Sequence, residues 1–227
     1  MMTLQPMPTN SEVDDVLKQL ADVRVLPLIV IDDPADALPL ARALIDGGLP
    51  CAEITFRTPR AADAIRAIAD SSLDILLGAG TVLTLRQAAE ARAAGARFIV
   101  TPGFNPAVVD YCLENEIPVF PGVCTPTEVE AAMQKGLDVL KFFPAEPMGG
   151  ASFLKAIAAP YSMVRFIPTG GINLNNLAAY FAVSSVVACG GSWLAPQEWI
   201  RAKSFERIRE ETERAVQAVR ENAGAAR

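Results

Sequence analysis

A regular alternation constrains this chain more than any other feature. Short runs rich in β-branched and aromatic residues recur along it, each followed by Pro/Gly punctuation and then by a stretch with helical spacing. The strand candidates are LPLIVI (26–31), CAEITF (51–56), DILLGAG (74–80), RFIVTPG (97–103), PVFPGV (118–123), VLKFFP (139–144), VRFIPTGG (164–171) and SVVACGGSWL (185–194). Alanine-rich segments such as DPADALPLARALIDGG, TPRAADAIRAIADSS and TLRQAAEARAAGA lie between them. In TPTEVEAAMQKG, Thr125 and Glu128 have capping-box spacing at the start of a helix. Strand beginnings are ~20–25 residues apart, the spacing that a strand–helix–strand unit requires.

Eight such units without a break in composition predict an α/β chain, a (β/α)8 TIM barrel forming one domain over residues 1–227. The alternative is an open doubly wound sheet, but neither GxGxxG nor GxxxxGK[ST] follows any strand candidate. Residues 11–24, SEVDDVLKQLADVR, read as an extra N-terminal helix, with 1–10 expected to be flexible. SFERIREETERAVQAVREN reads as a last amphipathic helix, with 221–227 as a frayed tail.

Composition removes several function classes. The chain has no histidine, which excludes His-ligated metals, Ser-His-Asp and Cys-His catalysis, and histidine acid–base chemistry. Its four cysteines, Cys51, Cys112, Cys124 and Cys189, form no CxxC pair and read as reduced thiols. A formal charge of −6 without a basic patch argues against nucleic acid as a partner. The opening MMTLQPMPTN lacks the basic and apolar regions of a signal peptide, and no run is long enough for a membrane span. A cytoplasmic location is the expectation.

Strands of a parallel barrel are covered on both faces, so their polar residues are informative. Here they gather near the C-terminal strand ends, where barrel enzymes build active sites. The second strand offers Glu53, Thr55 and Arg57 in alternation, with Ala52, Ile54 and Phe56 on the other face. Thr81 follows the third strand, Thr101 and Pro102 end the fourth, and the sixth carries Lys141 between Leu140 and Phe142. The seventh ends in Thr169, Gly170 and Gly171, and the eighth in Gly190, Gly191 and Ser192. Taken singly, each has a structural reading. Lys141 could snorkel to water, Glu53 and Arg57 could be an ion pair, and the glycine pairs could be turns. Their convergence on one mouth favours a shared site. The last two loops are a usual phosphate position, where glycines expose N–H groups and Ser192 adds a small donor.

These residues sit in the motifs AEITFRT, GAGTVL, TPGFNP, IPVFPGV, LKFFPAE, RFIPTGGI and GGSWL, spread in that order over about residues 20–200. In them the chain closely resembles the 2-keto-3-deoxy-6-phosphogluconate (KDPG)/4-hydroxy-2-oxoglutarate aldolase family. The resemblance implies a class I aldolase on a (β/α)8 barrel, without metal or cofactor and usually a homotrimer. It implies Lys141 as the Schiff-base lysine and Glu53 as the general acid–base. Arg57, Thr81 and Thr169 would hold the carboxylate end of the substrate, and Pro102 and Phe143 would wall the pocket. Gly170, Gly171, Gly191 and Ser192 would hold the phosphate. Cys124, where the family pattern suggests serine or a similar residue, departs outside the matched catalytic set.

The chemistry calls for such groups. Cleaving a 2-keto-4-hydroxy acid into pyruvate and an aldehyde leaves a carbanion that an iminium on lysine can absorb. An ordinary lysine, pKa ~10.4, is neutral only about once in 2,500 at pH 7. An apolar strand with an arginine in the same mouth shifts an amine toward the neutral form. Glu53 is the best-placed carboxylate for proton transfer, because Asp138 lies at the other end of the sixth strand. The expected substrate is KDPG, with glyceraldehyde 3-phosphate as co-product; its C4 epimer and 4-hydroxy-2-oxoglutarate share the pyruvyl half. A phosphosugar epimerase or isomerase is a weaker reading, since it does not call for a lysine inside an apolar strand. A barrel that only binds a keto-acid phosphate is a third.

Overall fold

The computed structural model describes residues 11–225, so the readings of 1–10 and 226–227 lie outside the described residues. The strand segments are β1 (Val25–Ile29), β2 (Cys51–Thr55), β3 (Leu76–Gly80), β4 (Phe98–Val100), β5 (Val119–Phe120), β6 (Gly122–Val123), β7 (Val139–Phe142), β8 (Arg165–Pro168) and β9 (Cys189–Gly191). The helices are α1 (Ser11–Val23), α2 (Ala37–Asp46), α3 (Ala61–Ala69), α4 (Leu85–Ala93), α5 (Pro106–Glu114), α6 (Pro126–Gln134), α7 (Gly150–Ala158), α8 (Leu177–Phe181), α9 (Gln197–Arg201) and α10 (Phe205–Ala225).

All strand pairings are parallel. One curled sheet runs β5-β4-β3-β2-β1-β9 and a second runs β6-β7-β8. Single parallel bridges, Phe166 to Val186 and Thr169 to Gly190, link the β8 region to the approach and body of β9. β5 and β6 are two halves of one predicted strand, divided at Pro121. Proline has no N–H for the ladder, so pairing lapses there. Its carbonyl still accepts the N–H of Lys141 at 2.9 Å.

Strand composition sorts side chains to two faces. Cys51, Leu76, Phe98, Val100 and Phe120 join one core cluster, whereas Ala52, Ile54, Leu77, Ala79 and Ile99 pack with the helix residues Leu40, Ala64, Ile65 and Ala88. Alternation along an extended strand backbone produces this division. Inside the curl, the Phe98 and Phe120 rings meet at 5.8 Å, and Phe98 occupies the space left by Gly78, where a Cβ would lie 2.2 Å from the ring.

α1 closes the N-terminal end of the sheet. Its Val16, Leu17 and Leu20 are buried in the cluster that contains Val25, Cys51, Leu76 and Val139, the first residues of four strands. Helix starts follow the local chemistry. Thr84 and Asn105 cap α4 and α5, and Thr125 with Glu128 forms the anticipated capping box of α6.

Two expectations change at the C-terminal region. α9 was not anticipated, and α10 continues to Ala225, so 221–225 are helical where a frayed tail was predicted. Ala, Glu and Asn favour or tolerate helix, and Asn222 donates back to the Ala218 carbonyl at 2.8 Å. The four cysteines are free thiols, with Cys51, Cys112 and Cys189 buried.

Candidate active site

β7 is buried along its length, and Leu140 and Phe142 are fully enclosed on the face opposite Lys141. Lys141 itself is only 4% exposed. Its Nζ lies 3.7 Å from Oε1 of Glu53 on β2, which is 1% exposed. That distance gives attraction without a hydrogen bond, and Glu53 Oε1 has no hydrogen-bond partner among the described residues. The space for the carboxylate comes from Gly80 of β3, where a Cβ would stand 1.9 Å from Glu53 Oε1.

Burial raises the Glu53 carboxyl above the ordinary glutamate range; the charges of Lys141 and Arg57 oppose that rise. A buried pair of this kind is weak evidence for stability, because desolvation consumes most of the Coulomb attraction. An under-bonded carboxylate beside an enclosed amine therefore points to chemistry rather than to support of the fold.

Arg57 differs from the simple alternation. β2 ends at Thr55, although the Phe56 N–H still donates to the Gly80 carbonyl at 2.8 Å. Arg57 follows in an exposed turn, where the Thr58 hydroxyl donates to the Ile31 carbonyl. It reaches Glu53 through its charge rather than as a third residue in the strand row. Thr55 is spoken for, since its hydroxyl donates to the Ile29 carbonyl at 2.8 Å.

Thr81 follows Gly80 with a left-handed backbone, φ +54. For a β-branched residue this is an outlier, and such outliers gather at functional sites. Phe143 carries its ring centroid to 5.2 Å from Lys141 Nζ, forming one side of the amine's surroundings. Pro102 lies beside Gly122, the register partner of Lys141; a Cβ on that glycine would sit 2.1 Å from the Pro102 carbonyl oxygen. Thr169 is buried beside Gly190, whose absent side chain leaves room for the threonine hydroxyl. That hydroxyl makes only a long 3.5 Å contact with the Ile167 carbonyl.

Gly170 and Gly171 both have positive φ, +107 and +82, in the loop after β8. The Gly171 N–H donates to no acceptor among the described residues, whereas Gly170 flanks the parallel bridge between Thr169 and Gly190. Gly191 lies in β9 and accommodates the Trp193 ring, from which a Cβ would be 2.1 Å away, and Ser192 is exposed just beyond it. Gly80 and Gly122 were not read from sequence as parts of this site, and Gly190 was read only as a strand-end glycine rather than as room for Thr169. A glycine within a strand signals close approach, but what approaches it is settled only by the neighbouring strands.

An enclosed lysine facing a carboxylate, at the C-terminal edge of a parallel sheet with a free loop amide nearby, defines a carbon–carbon lyase site of the imine-forming kind. Comparisons with known proteins agree. The family model for the aldolases, KDPG and KHG aldolase, matches residues 13–211, and the chain belongs to that family. The 2-dehydro-3-deoxy-phosphogluconate aldolase of Treponema pallidum is 52% identical over 204 residues, covering 90% of this chain and 97% of that protein. The KHG/KDPG aldolase of Escherichia coli K12 is 44% identical over 196 residues, 86% of this chain and 92% of its own. The crystal structure of a Legionella pneumophila KDPG aldolase, with pyruvate captured as a covalent carbinolamine, superposes with a TM-score of 0.85 at 40% identity, covering 88% of this chain and 97% of that one.

Proposed function

We propose that this chain is a class I aldolase that cleaves KDPG to pyruvate and glyceraldehyde 3-phosphate. The observation that carries the reading is the enclosed Lys141 amine, 3.7 Å from an otherwise unbonded Glu53 oxygen. Lys141 Nζ adds to the C2 carbonyl of the substrate, and the carbinolamine loses water to give an iminium. Glu53 moves the protons of that dehydration. It then takes the C4 hydroxyl proton as the C3–C4 bond breaks and its electron pair enters the iminium. The aldehyde leaves, the resulting enamine is protonated at C3, and hydrolysis releases pyruvate and restores the lysine. A carboxyl raised by burial exchanges protons efficiently near neutral pH.

Arg57, with its forked donors, and Thr81 and Thr169 hold the carboxylate, while Pro102 and Phe143 wall the pocket. Gly170, Gly171, Gly191 and Ser192 receive the phosphate. The same reading takes residues 1–227 as one domain and the two sheets as a closed (β/α)8 barrel, supported by the parallel bridges from the β8 region to β9. It places the enzyme in the cytoplasm as a homotrimer; no helix among the described residues is long and apolar enough to cross a membrane.

Borohydride trapping with pyruvate tests the reading. A reduced adduct on Lys141 is expected, and its absence removes the imine route. Comparing kcat/KM for KDPG, its C4 epimer and 4-hydroxy-2-oxoglutarate then establishes the substrate.

A further inference from the structure

The glycine loop after β8 is held from one side by a tyrosine and a glutamate that the reaction above does not use. Tyr180 of α8 is fully buried, and its hydroxyl donates to Glu146 Oε1, thirty-four positions away in the chain. Glu146 follows Lys141 in the loop after β7, and its own N–H donates to the Gly170 carbonyl at 2.9 Å. The stem of its side chain lies against Gly171, where a Cβ would be 2.7 Å from Glu146 Cβ. The Gly171 carbonyl accepts from Asn173 and Asn176 at 3.3 and 3.1 Å. Both glycine carbonyls are thus tied back, while the Gly171 N–H donates to nothing among the described residues. Burial, and then the Glu146 carboxylate, hold the Tyr180 phenol above its ordinary range, so it remains a donor at neutral pH.

We propose that Tyr180 is a positioning residue which, by fixing Glu146, orients the Gly171 amide for a phosphate group and so sets the preference for phosphorylated over unphosphorylated keto acids. The physical basis is preorganisation. A flexible glycine aims its donor at an anion only if something else restrains its peptide plane. The Glu146 stem backs Gly171 while its N–H holds the Gly170 carbonyl, and Tyr180 fixes the carboxylate end of that stem. The choice of substrate rests on the aldolase reading above; the orientation of the amide does not.

The test uses Tyr180→Phe, Glu146→Ala and Glu146→Gln in the full chain. Binding of inorganic phosphate is followed by phosphorus NMR, alongside steady-state kinetics with KDPG and 4-hydroxy-2-oxoglutarate. Tyr180→Phe and Glu146→Ala are expected to weaken phosphate binding about 10–150-fold, the scale of a lost hydrogen bond to a charged group. KM for KDPG rises by a similar factor, with kcat and the kinetics of the shorter acid little changed. Glu146→Gln, whose amide oxygen still accepts from Tyr180, restores most of the affinity. No phosphate binding by the native chain, unchanged affinity in Tyr180→Phe, or an equal loss for both substrates overturns the proposal. If the native chain binds phosphate as expected but yields no pyruvate adduct, the aldolase reading alone falls.

Discussion

Two ion pairs sit at opposite ends of the same curled sheet. At the N-terminal end, Arg97, just ahead of β4, binds Asp15 of α1 at 2.8 Å, with Arg97 half-buried and Asp15 exposed. At the C-terminal end, Lys141 and Glu53 are separated by 3.7 Å and almost wholly enclosed. The better hydrogen bond belongs to the pair with the lesser consequence. Water screens Arg97 and Asp15, and the end of the sheet they decorate is already closed by the apolar face of α1. Enclosure leaves Lys141 and Glu53 under-bonded, and that deficit is what a reacting substrate can satisfy. Burial, more than bond length, separates a charge pair that performs chemistry from one that decorates a surface.

The largest expected break in this contrast is Lys141→Met. Turnover should fall by at least about 10⁴-fold, the scale of losing a covalent nucleophile, with no borohydride adduct by mass spectrometry. Glu53→Gln should lower kcat by about 10²–10⁴-fold. Because burial raises the Glu53 carboxyl, the acid limb of the native rate profile should lie above the ordinary glutamate value of about 4.3. A raised acid binds more protons in the folded chain than in the unfolded one, so this group withdraws stability as pH rises past its unfolded pKa. The double variant Lys141→Met/Glu53→Gln should therefore gain on the native chain in urea melts as pH increases from 4.5, while staying inactive.

Gly80→Ala tests the space around the carboxylate. Pushing Glu53 aside should cost about 10²-fold in kcat, the scale of an ångström of misplacement, and a kcat within twofold of native would deny that Gly80 matters. Leu20→Ala acts at the other end. It should lower stability by about 2–5 kcal/mol in denaturant melts and leave kcat of the folded fraction intact. The smallest effect belongs to Arg97→Met, for which kcat/KM and the melting temperature should hardly move. A large kinetic defect there would erase the distinction between the two ends.

Much of this was legible in the sequence because it depended on local pattern. Lys141 and Glu53 stand out as polar residues in apolar strands, and the alternation of Ala52 and Ile54 with Cys51 matches the two core clusters. Thr125 and Glu128 form their capping box because it needs only neighbours in the chain. What stayed hidden depended on distant partners. Gly80 makes room for a carboxylate twenty-seven positions earlier, and Gly190 does so for Thr169, yet in sequence both are only glycines. Tyr180, amid alanines and leucine, reads as core until its hydroxyl is seen on Glu146. The break at Pro121 and the exposed turn at Arg57 show the limit of strand rhythm, because ladder hydrogen bonds end before the hydrophobic pattern does.

The left-handed backbone of Thr81 has a consequence for anyone engineering this protein. A β-branched residue in that conformation costs about 1–2 kcal/mol, and glycine would relieve it. A library screened for heat resistance alone would select the relaxed variant and discard the hydroxyl proposed to hold the carboxylate. Selection schemes for sturdier versions of the enzyme should keep position 81 fixed, or score survivors on pyruvate capture as well as on melting.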